Sequence, residues 1–135
     1  MSDTLERLLF MEGEWVGEGN EGDKRLRCTA SGRVLVPNAW FQVTENFEWV
    51  DSGERLQDVS LYRYDASRLG YSVMHLKPEG RVDEYPIVLE ADGVRWYLGP
   101  EGPEVVFRGT DAGWSARVGP ADSPTIKLDY RRATT

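Results

Sequence analysis

The chain has 135 residues, 40% of them hydrophobic and 29% charged, which suits one folded domain over residues 1–135 and excludes a disordered chain. Its net charge of −7 argues against binding to nucleic acid or to an anionic lipid surface, because both need clustered Lys and Arg. One cysteine, Cys28, and one histidine, His75, exclude an internal disulfide and a structural zinc site. The sequence shows neither a signal-peptide pattern nor a membrane-spanning apolar run, so we expect a cytoplasmic location.

The first predicted element is a short helix over residues 3–11. Leu5, Leu8 and Leu9 follow the i, i+3, i+4 spacing of an apolar helix face, and Gly13 ends the element. A helix of this length is unstable alone. We therefore expect its leucines to dock on the mouth or the outer wall of a barrel.

After Gly13 the apolar residues recur at every second position, which predicts about ten strands. The predicted strands are 14–20, 24–36, 39–50, 55–65, 70–77, 81–90, 94–98, 104–109, 113–118 and 125–132. Turn sequences such as Asp51-Ser52-Gly53 and Pro78-Glu79-Gly80 separate them. Pro86 lacks a backbone N–H and predicts a sheet edge or a bulge within 81–90.

The short connections between these strands predict an antiparallel sheet, because parallel crossovers need a dozen or more residues. Such a sheet stacks as a sandwich or closes on itself. We expect an all-β, closed up-and-down barrel of about ten strands with a short N-terminal helix. Closure removes sheet edges and can leave an interior cavity, the lumen.

Residues 39–50 place a carboxylate among apolar neighbours. By alternation, Glu45 shares one face of the strand with Phe41, Val43, Phe47 and Trp49. Burial of a carboxylate is costly unless it is paired. Either this stretch is exposed at Glu45, or Glu45 meets an Arg, His or Tyr in a polar network of the lumen, where it would contact a ligand or act as an acid or base.

The two ends of the chain carry a resemblance to a known superfamily. Gly13-x-Trp15, on a strand after a short helix, resembles the Gly-x-Trp signature of the calycins, which include the lipocalins and the fatty-acid-binding proteins. The Gly-x-Trp-x-Gly-x-Gly opening and the Tyr130-Arg131-Arg132 ending are most similar to bacterial lipocalin-like domains of unknown function.

In lipocalins a basic residue of the last strand packs over the signature Trp. The resemblance therefore implies that Arg131 or Arg132 covers Trp15, as a structural plug at one end of the barrel. Alternation favours Arg132, which shares a face with Tyr130. A guanidinium over an indole ring gains about 0.5–2 kcal/mol from the cation–π contact.

A weaker resemblance to nitrobindin-like barrels raises haem as a cofactor. Those barrels hold haem through a His near the C-terminus, and this chain has no His there. His75 lies in the middle of the chain, where a lone His is more often a structural hydrogen-bonding group. We therefore expect no cofactor and no metal, and haem stays a disfavoured alternative.

Aromatic and polar residues on the predicted strands are candidates for ligand contacts in the lumen, with core packing as the alternative. The predicted ligand-binding residues are Glu45, Tyr62, Tyr64, His75, Trp96, Arg108 and Tyr130. Arg63, Arg95 and Arg108 could each bind a ligand carboxylate. Fatty-acid-binding proteins use Arg and Tyr near the C-terminus in this way, although Tyr130-x-Arg132 has the two residue types in reversed order.

These observations predict binding of a small, mostly apolar molecule in the lumen. One alternative is an isomerase or lyase in which Glu45 and His75 form an acid/base pair. Another is an interaction module whose barrel is filled with side chains. The sequence has no Gly-x-Ser-x-Gly nucleophile motif and assigns no residue a catalytic role. It leaves a homodimer open as the oligomeric state.

Overall fold

The protein is described by a computed structural model over residues 3–36, 39–65, 70–98, 102–120 and 123–133. Its strands form one antiparallel sheet. The strands are β1 (Gly13–Glu21), β2 (Lys24–Val34), β3 (Trp40–Trp49), β4 (Arg55–Asp65), β5 (Gly70–Leu76), β6 (Val82–Pro86), β7 (Val88–Glu90), β8 (Gly93–Tyr97), β9 (Glu104–Gly109), β10 (Gly113–Gly119) and β11 (Ile126–Arg132).

The order of the strands in the sheet is β6-β5-β4-β3-β2-β1-β11-β10-β9-β8-β7. Neighbouring strands are consecutive in the chain except for β1 and β11 and are antiparallel. β1 pairs with β11 from Trp15 opposite Arg132 to Glu21 opposite Ile126. The first and last strands thus join the two halves of the sheet. The sheet curls into a nearly closed barrel, which confirms the predicted all-β antiparallel architecture.

The barrel has eleven described strands rather than about ten, because the predicted strand 81–90 is two strands. It breaks after Pro86, and β6, which ends at Pro86, is an edge strand of the sheet, as the missing N–H predicts. The backbone N–H of Ile87 still reaches the carbonyl of Tyr71 on β5, at 3.1 Å, before the chain leaves to form β7. Since β6 and β7 are the two edges of the sheet, the seam of the barrel lies at this break.

The predicted helix over 3–11 is wrong in its extent. The chain forms a four-residue helix, α1 (Asp3–Glu6), and then a 3₁₀ turn over Leu9–Met11. The N–H groups of Leu8 and Met11 bond to carbonyls three residues back, both at 3.0 Å. At three residues per turn, the buried side chains are Leu5, Leu8 and Met11, and Leu9 is 39% exposed. Among the described residues, no helix is long and apolar enough to cross a membrane.

Trp15 and Arg132 close the end of the barrel beneath this segment. Trp15 is buried, and its indole N–H donates to the carbonyl of Met11 at 2.9 Å. The Arg132 guanidinium lies 4.3 Å from the centre of the indole ring and donates to the carbonyl of Glu12 at 2.9 Å. The contact expected for Arg132 is therefore present. Gly13 is required here because its φ is 114° and a side chain would collide with the guanidinium.

We predict that Arg132→Ala lowers the free energy of unfolding by about 1–2 kcal/mol, through loss of the cation–π contact and of one hydrogen bond. The exposed neighbour Arg131 provides the matched control, Arg131→Ala, which we expect to leave stability unchanged. Trp15→Ala should cost more, about 3–5 kcal/mol, because it empties a buried site. Urea unfolding of the three variants checks this, and equal stability of Arg132→Ala and Arg131→Ala would remove the proposed plug.

Candidate functional site

A carboxyl group is buried in the interior of the barrel. Glu45 on β3 is only 4% exposed, and the hydroxyl of Tyr130 on β11 donates to its Oε2 at 2.7 Å. Burial raises the pKa of Glu45 from its usual 4.5 to about 8, with Asp58 adding to the increase and the Tyr130 hydrogen bond opposing it. The carboxyl group is therefore mostly protonated and uncharged at neutral pH.

The Tyr130 ring packs between the backbone of Gly17 and the ring of Trp114. Gly17 on β1 leaves room for it, because a Cβ there would lie 2.6 Å from the tyrosine ring. The Trp114 ring stacks on the other face, with ring centres 4.2 Å apart. Burial and then the nearby Glu45 carboxyl raise the pKa of Tyr130, and burial raises that of Cys28 to about 12. Both groups thus stay protonated near neutral pH.

A second pair of polar side chains lies beside Glu45. Asp58 on β4 is directly opposite Glu45 in the β3–β4 register, and its Oδ1 contacts Nε2 of His75 on β5. Asp58 as acceptor favours a proton on Nε2, which leaves Nδ1 with a free lone pair when the ring is neutral. His75 is 14% exposed and Asp58 26% exposed, so the pair lies between the interior and solvent.

Buried aromatic rings form a continuous wall that runs from Tyr62 to Tyr130. Tyr62 on β4 packs edge-on against Trp96 on β8, with ring centres 5.6 Å apart. Phe107 lies 5.3 Å from Trp96 and 5.4 Å from Trp114, again edge-on. The wall ends at the Trp114–Tyr130 stack.

Several buried polar atoms along this interior have no hydrogen-bond partner within the described part of the chain. They include the Tyr62 hydroxyl, Nε1 of Trp96, Nε1 of Trp114 and Nδ1 of His75. A buried polar atom left without a partner costs about 1–3 kcal/mol, so such atoms are rare in folded proteins. Burial raises the pKa of Tyr62, so this hydroxyl keeps its proton and can donate it in a hydrogen bond.

Five polar side chains face one another in this interior and are called the lumen cluster below. They are Glu45, Asp58, Tyr62, His75 and Tyr130. Four of them, together with Trp96, were predicted from the sequence as ligand-binding residues. Asp58 was not. It could have been found, because Asp51-Ser52-Gly53 sets the hairpin register that brings Asp58 opposite Glu45.

Three predicted site residues are not part of the lumen cluster, and one of them, Trp96, is buried against Tyr62. Tyr64 is 42% exposed and packs against Tyr71, with ring centres 4.8 Å apart. Arg108 alternates with the inward Phe107 and pairs with Glu90 on the outer wall at 3.2 Å.

The other two candidate arginines are also paired with protein carboxylates. Arg63 contacts Glu84 at 2.7 Å, and Arg95 contacts Glu104 at 2.7 Å. Strand alternation defines two faces of a strand but does not say which of them is turned towards the lumen. The three arginines were predicted to lie on the inner face, and they lie on the outer face.

Clefts on the outside of the barrel do not include the lumen cluster. One, of about 460 Å³, lies at the β1–β2 and β3–β4 turns and is lined by residues such as Lys24 and Trp49. Another, of about 420 Å³, is lined by residues of β2, β3 and β4 such as Arg27 and Gln57. In the described part of the chain, no group of three or more His, Cys, Asp and Glu side chains is arranged to hold a metal ion.

Comparison of the sequence with protein-family models and with curated proteins returned no match. The candidate site is therefore defined by its geometry.

The raised pKa of Glu45 predicts how stability depends on pH. The folded state holds this proton more tightly than the unfolded chain, in which the pKa is near 4.5. This stabilisation is complete below about pH 4.5 and is lost as the pH rises to about 8, with a slope approaching 1.4 kcal/mol per pH unit. Asp58, Tyr62, Tyr130 and Cys28 face Glu45 and can also contribute to the pH dependence of stability. Comparison with a variant that lacks the Glu45 carboxyl group isolates the contribution of Glu45.

Urea unfolding of the wild-type protein and of Glu45→Gln, between about pH 5 and about pH 8, measures this slope. The variant keeps a neutral side chain of the same shape, and the difference between the two stabilities should change steadily across the range. Two parallel curves would contradict the raised pKa.

Proposed function

We propose that the barrel binds a small, mostly apolar and uncharged molecule in its lumen. The observation that carries this proposal is the set of buried polar atoms without a partner, which lie along an aromatic wall. Ligand sites typically combine apolar and aromatic walls with a few polar groups that orient the ligand. A ligand with a hydrogen-bond acceptor would satisfy the donors of Tyr62, Trp96 and Trp114.

The charge of the interior supports an uncharged ligand. Among the described residues, the buried polar and charged side chains are Glu45, Ser60, Ser72 and Glu104, with no arginine or lysine. A ligand carboxylate would face Glu45 and Asp58 without a compensating cation, and burial of an unpaired charge is strongly unfavourable. We therefore propose a neutral ligand instead of the carboxylate that the candidate arginines suggested.

We also propose that the chain is a calycin-type, lipocalin-like barrel of the cytoplasm. The Gly13-x-Trp15 motif supports this, together with Arg132 over the Trp15 ring and the pairing of the first and last strands. The free, buried Cys28 is compatible with a reducing compartment.

The indole N–H signals in a ¹H–¹⁵N NMR spectrum test ligand binding directly. Acetophenone and ethylbenzene are suitable probes, because both are small and uncharged and only the first carries a hydrogen-bond acceptor. We expect acetophenone to shift the signals of Trp96 and Trp114, whose N–H groups lack a partner in the described structure. The signals of Trp15 and Trp49, which donate to Met11 and Glu21, are the internal controls.

Tyr62→Phe, with Tyr64→Phe as the matched control on the same strand, shows whether the hydroxyl contributes. Tyr62→Phe should weaken acetophenone binding several-fold, as expected for one hydrogen bond, and should leave ethylbenzene binding unchanged. Its stability should not fall, since it removes a buried hydroxyl without a partner. If neither probe shifts the Trp96 and Trp114 signals up to its solubility limit, the binding proposal is wrong.

A further inference from the structure

We propose that the lumen cluster moves a proton within a small, uncharged carbonyl compound, with His75 as the base and with Tyr62 and Glu45 as hydrogen-bond donors to the carbonyl oxygen. This inference depends on the proposed binding of a neutral ligand in the lumen and adds a substrate class and a reaction to it.

His75 has the arrangement required of a base. Asp58 contacts Nε2 and so directs the proton to that nitrogen, which leaves the Nδ1 lone pair free. Nδ1 is buried and has no partner within the described residues. Asp58 would also stabilise the imidazolium that forms when Nδ1 takes a proton. Asp58 is therefore a positioning residue, since it acts through His75.

Glu45 and Tyr62 have the arrangement required to stabilise a negative oxygen. The Oε2 of Glu45 accepts from Tyr130, so the proton of the neutral carboxyl group belongs on the other oxygen and is available to a ligand. The Tyr62 hydroxyl is buried and lacks a partner in the described structure. Tyr62 shares one face of β4 with Asp58, which lies directly opposite Glu45. A neutral carboxylic acid beside a tyrosine in an apolar site is an established way to stabilise an enolate oxygen.

The sheet geometry sets the size of the substrate. Glu45 is on β3 and His75 on β5, with Asp58 of β4 opposite the first and in contact with the second. Two strand spacings separate β3 from β5, or about 10 Å. A molecule with the dimensions of one six-membered ring could place its carbonyl oxygen near Glu45 and an adjacent carbon near His75.

The reaction is an isomerisation that balances without a co-reactant. Nδ1 of His75 takes a proton from the carbon next to the carbonyl group, and the C–H electron pair forms a carbon–carbon double bond. The carbonyl π electrons move to the oxygen, which accepts hydrogen bonds from Tyr62 and Glu45. His75 then returns the proton to the γ carbon of a β,γ-unsaturated ketone, the carbonyl group re-forms, and the double bond moves into conjugation.

Cyclohex-3-en-1-one is a suitable probe, because its conversion to cyclohex-2-en-1-one is followed by ultraviolet absorbance. Exchange of its α-hydrogens in D₂O, followed by ¹H NMR, reports the first proton transfer alone. We expect the wild-type protein to catalyse both. His75→Gln keeps an N–H donor towards Asp58 but lacks the base, and should lower the rate about 100-fold or more. Tyr62→Phe, which should fold normally, should lower it by a similar factor.

Two further variants separate chemistry from structure. The ionisable groups near His75 are Asp58, Lys77 and Asp83, and those near Glu45 are Asp58, Tyr62, Cys28 and Tyr130. Wild-type activity should fall above about pH 8 as Glu45 ionises. Glu45→Gln should lose that fall and keep part of the activity, because its amide still donates a hydrogen bond.

Asp58→Asn should lower kcat and leave KM almost unchanged, because Asp58 acts through His75 and does not bind the substrate. Glu48→Gln, an outward-facing change on β3, the strand of Glu45, should match the wild-type protein.

The outcomes distinguish this inference from the binding proposal. Shifted indole signals with cyclohex-3-en-1-one and no proton exchange at any pH would overturn the reaction and leave ligand binding intact. Exchange that survives both His75→Gln and Tyr62→Phe would overturn the assigned roles. The absence of any indole shift would overturn both the reaction and the binding.

Discussion

The hydrogen bond from Tyr130 to Glu45 is the interaction on which the interior of the barrel depends. It joins β11 to β3, two strands that are separated by β1 and β2 in the sheet but face each other across the lumen. Gly17 leaves room for the tyrosine ring, and Trp114 stacks on it. Because the carboxyl group is shielded from water, it keeps its proton, and the lumen holds a neutral hydrogen-bond donor instead of a fixed negative charge.

The barrel around this hydrogen bond is covered at one end by Arg132 and Trp15, and its sheet is open between the edge strands β6 and β7. Arg132 over Trp15 fixes the pairing of the first and last strands, so Tyr130 two residues earlier is held in register with Gly17. The opposite side of the barrel is the break after Pro86, where β6 and β7 are sheet edges. The lumen cluster is thus built on the continuous strands β3, β4, β5 and β11, which suits a site whose geometry must be maintained.

Much of this barrel could be predicted from local patterns, since strand alternation, turn glycines and a proline without an N–H act over a few residues. Arg132 was preferred over Arg131 by alternation alone, and the structure has that contact. The N-terminal segment was not predictable in the same way. Its 3₁₀ geometry depends on the surface that the barrel end offers to Leu5, Leu8 and Met11, and a sequence pattern does not contain that surface.

The site was predictable in its composition but not in its pairings. The position of Glu45 on an apolar face signalled an unusual environment, yet its partner Tyr130 is 85 residues away and reaches it only through closure of the sheet. Arg108 was assigned to the lumen because alternation leaves the choice of face open, and it lies on the outer wall. Tyr64 shares the face of Tyr62, but it lies next to the end of β4 and is 42% exposed.

The protonation state of Glu45 is the most direct test of this account. A ¹³C NMR titration of its side-chain carboxyl carbon, assigned by comparison with Glu45→Gln, reports the charge of this one group. We predict a titration midpoint of about 8 in the folded protein. A midpoint near the usual 4.5 would show a charged, hydrated carboxylate and would contradict the neutral interior from which the binding and proton-transfer proposals follow.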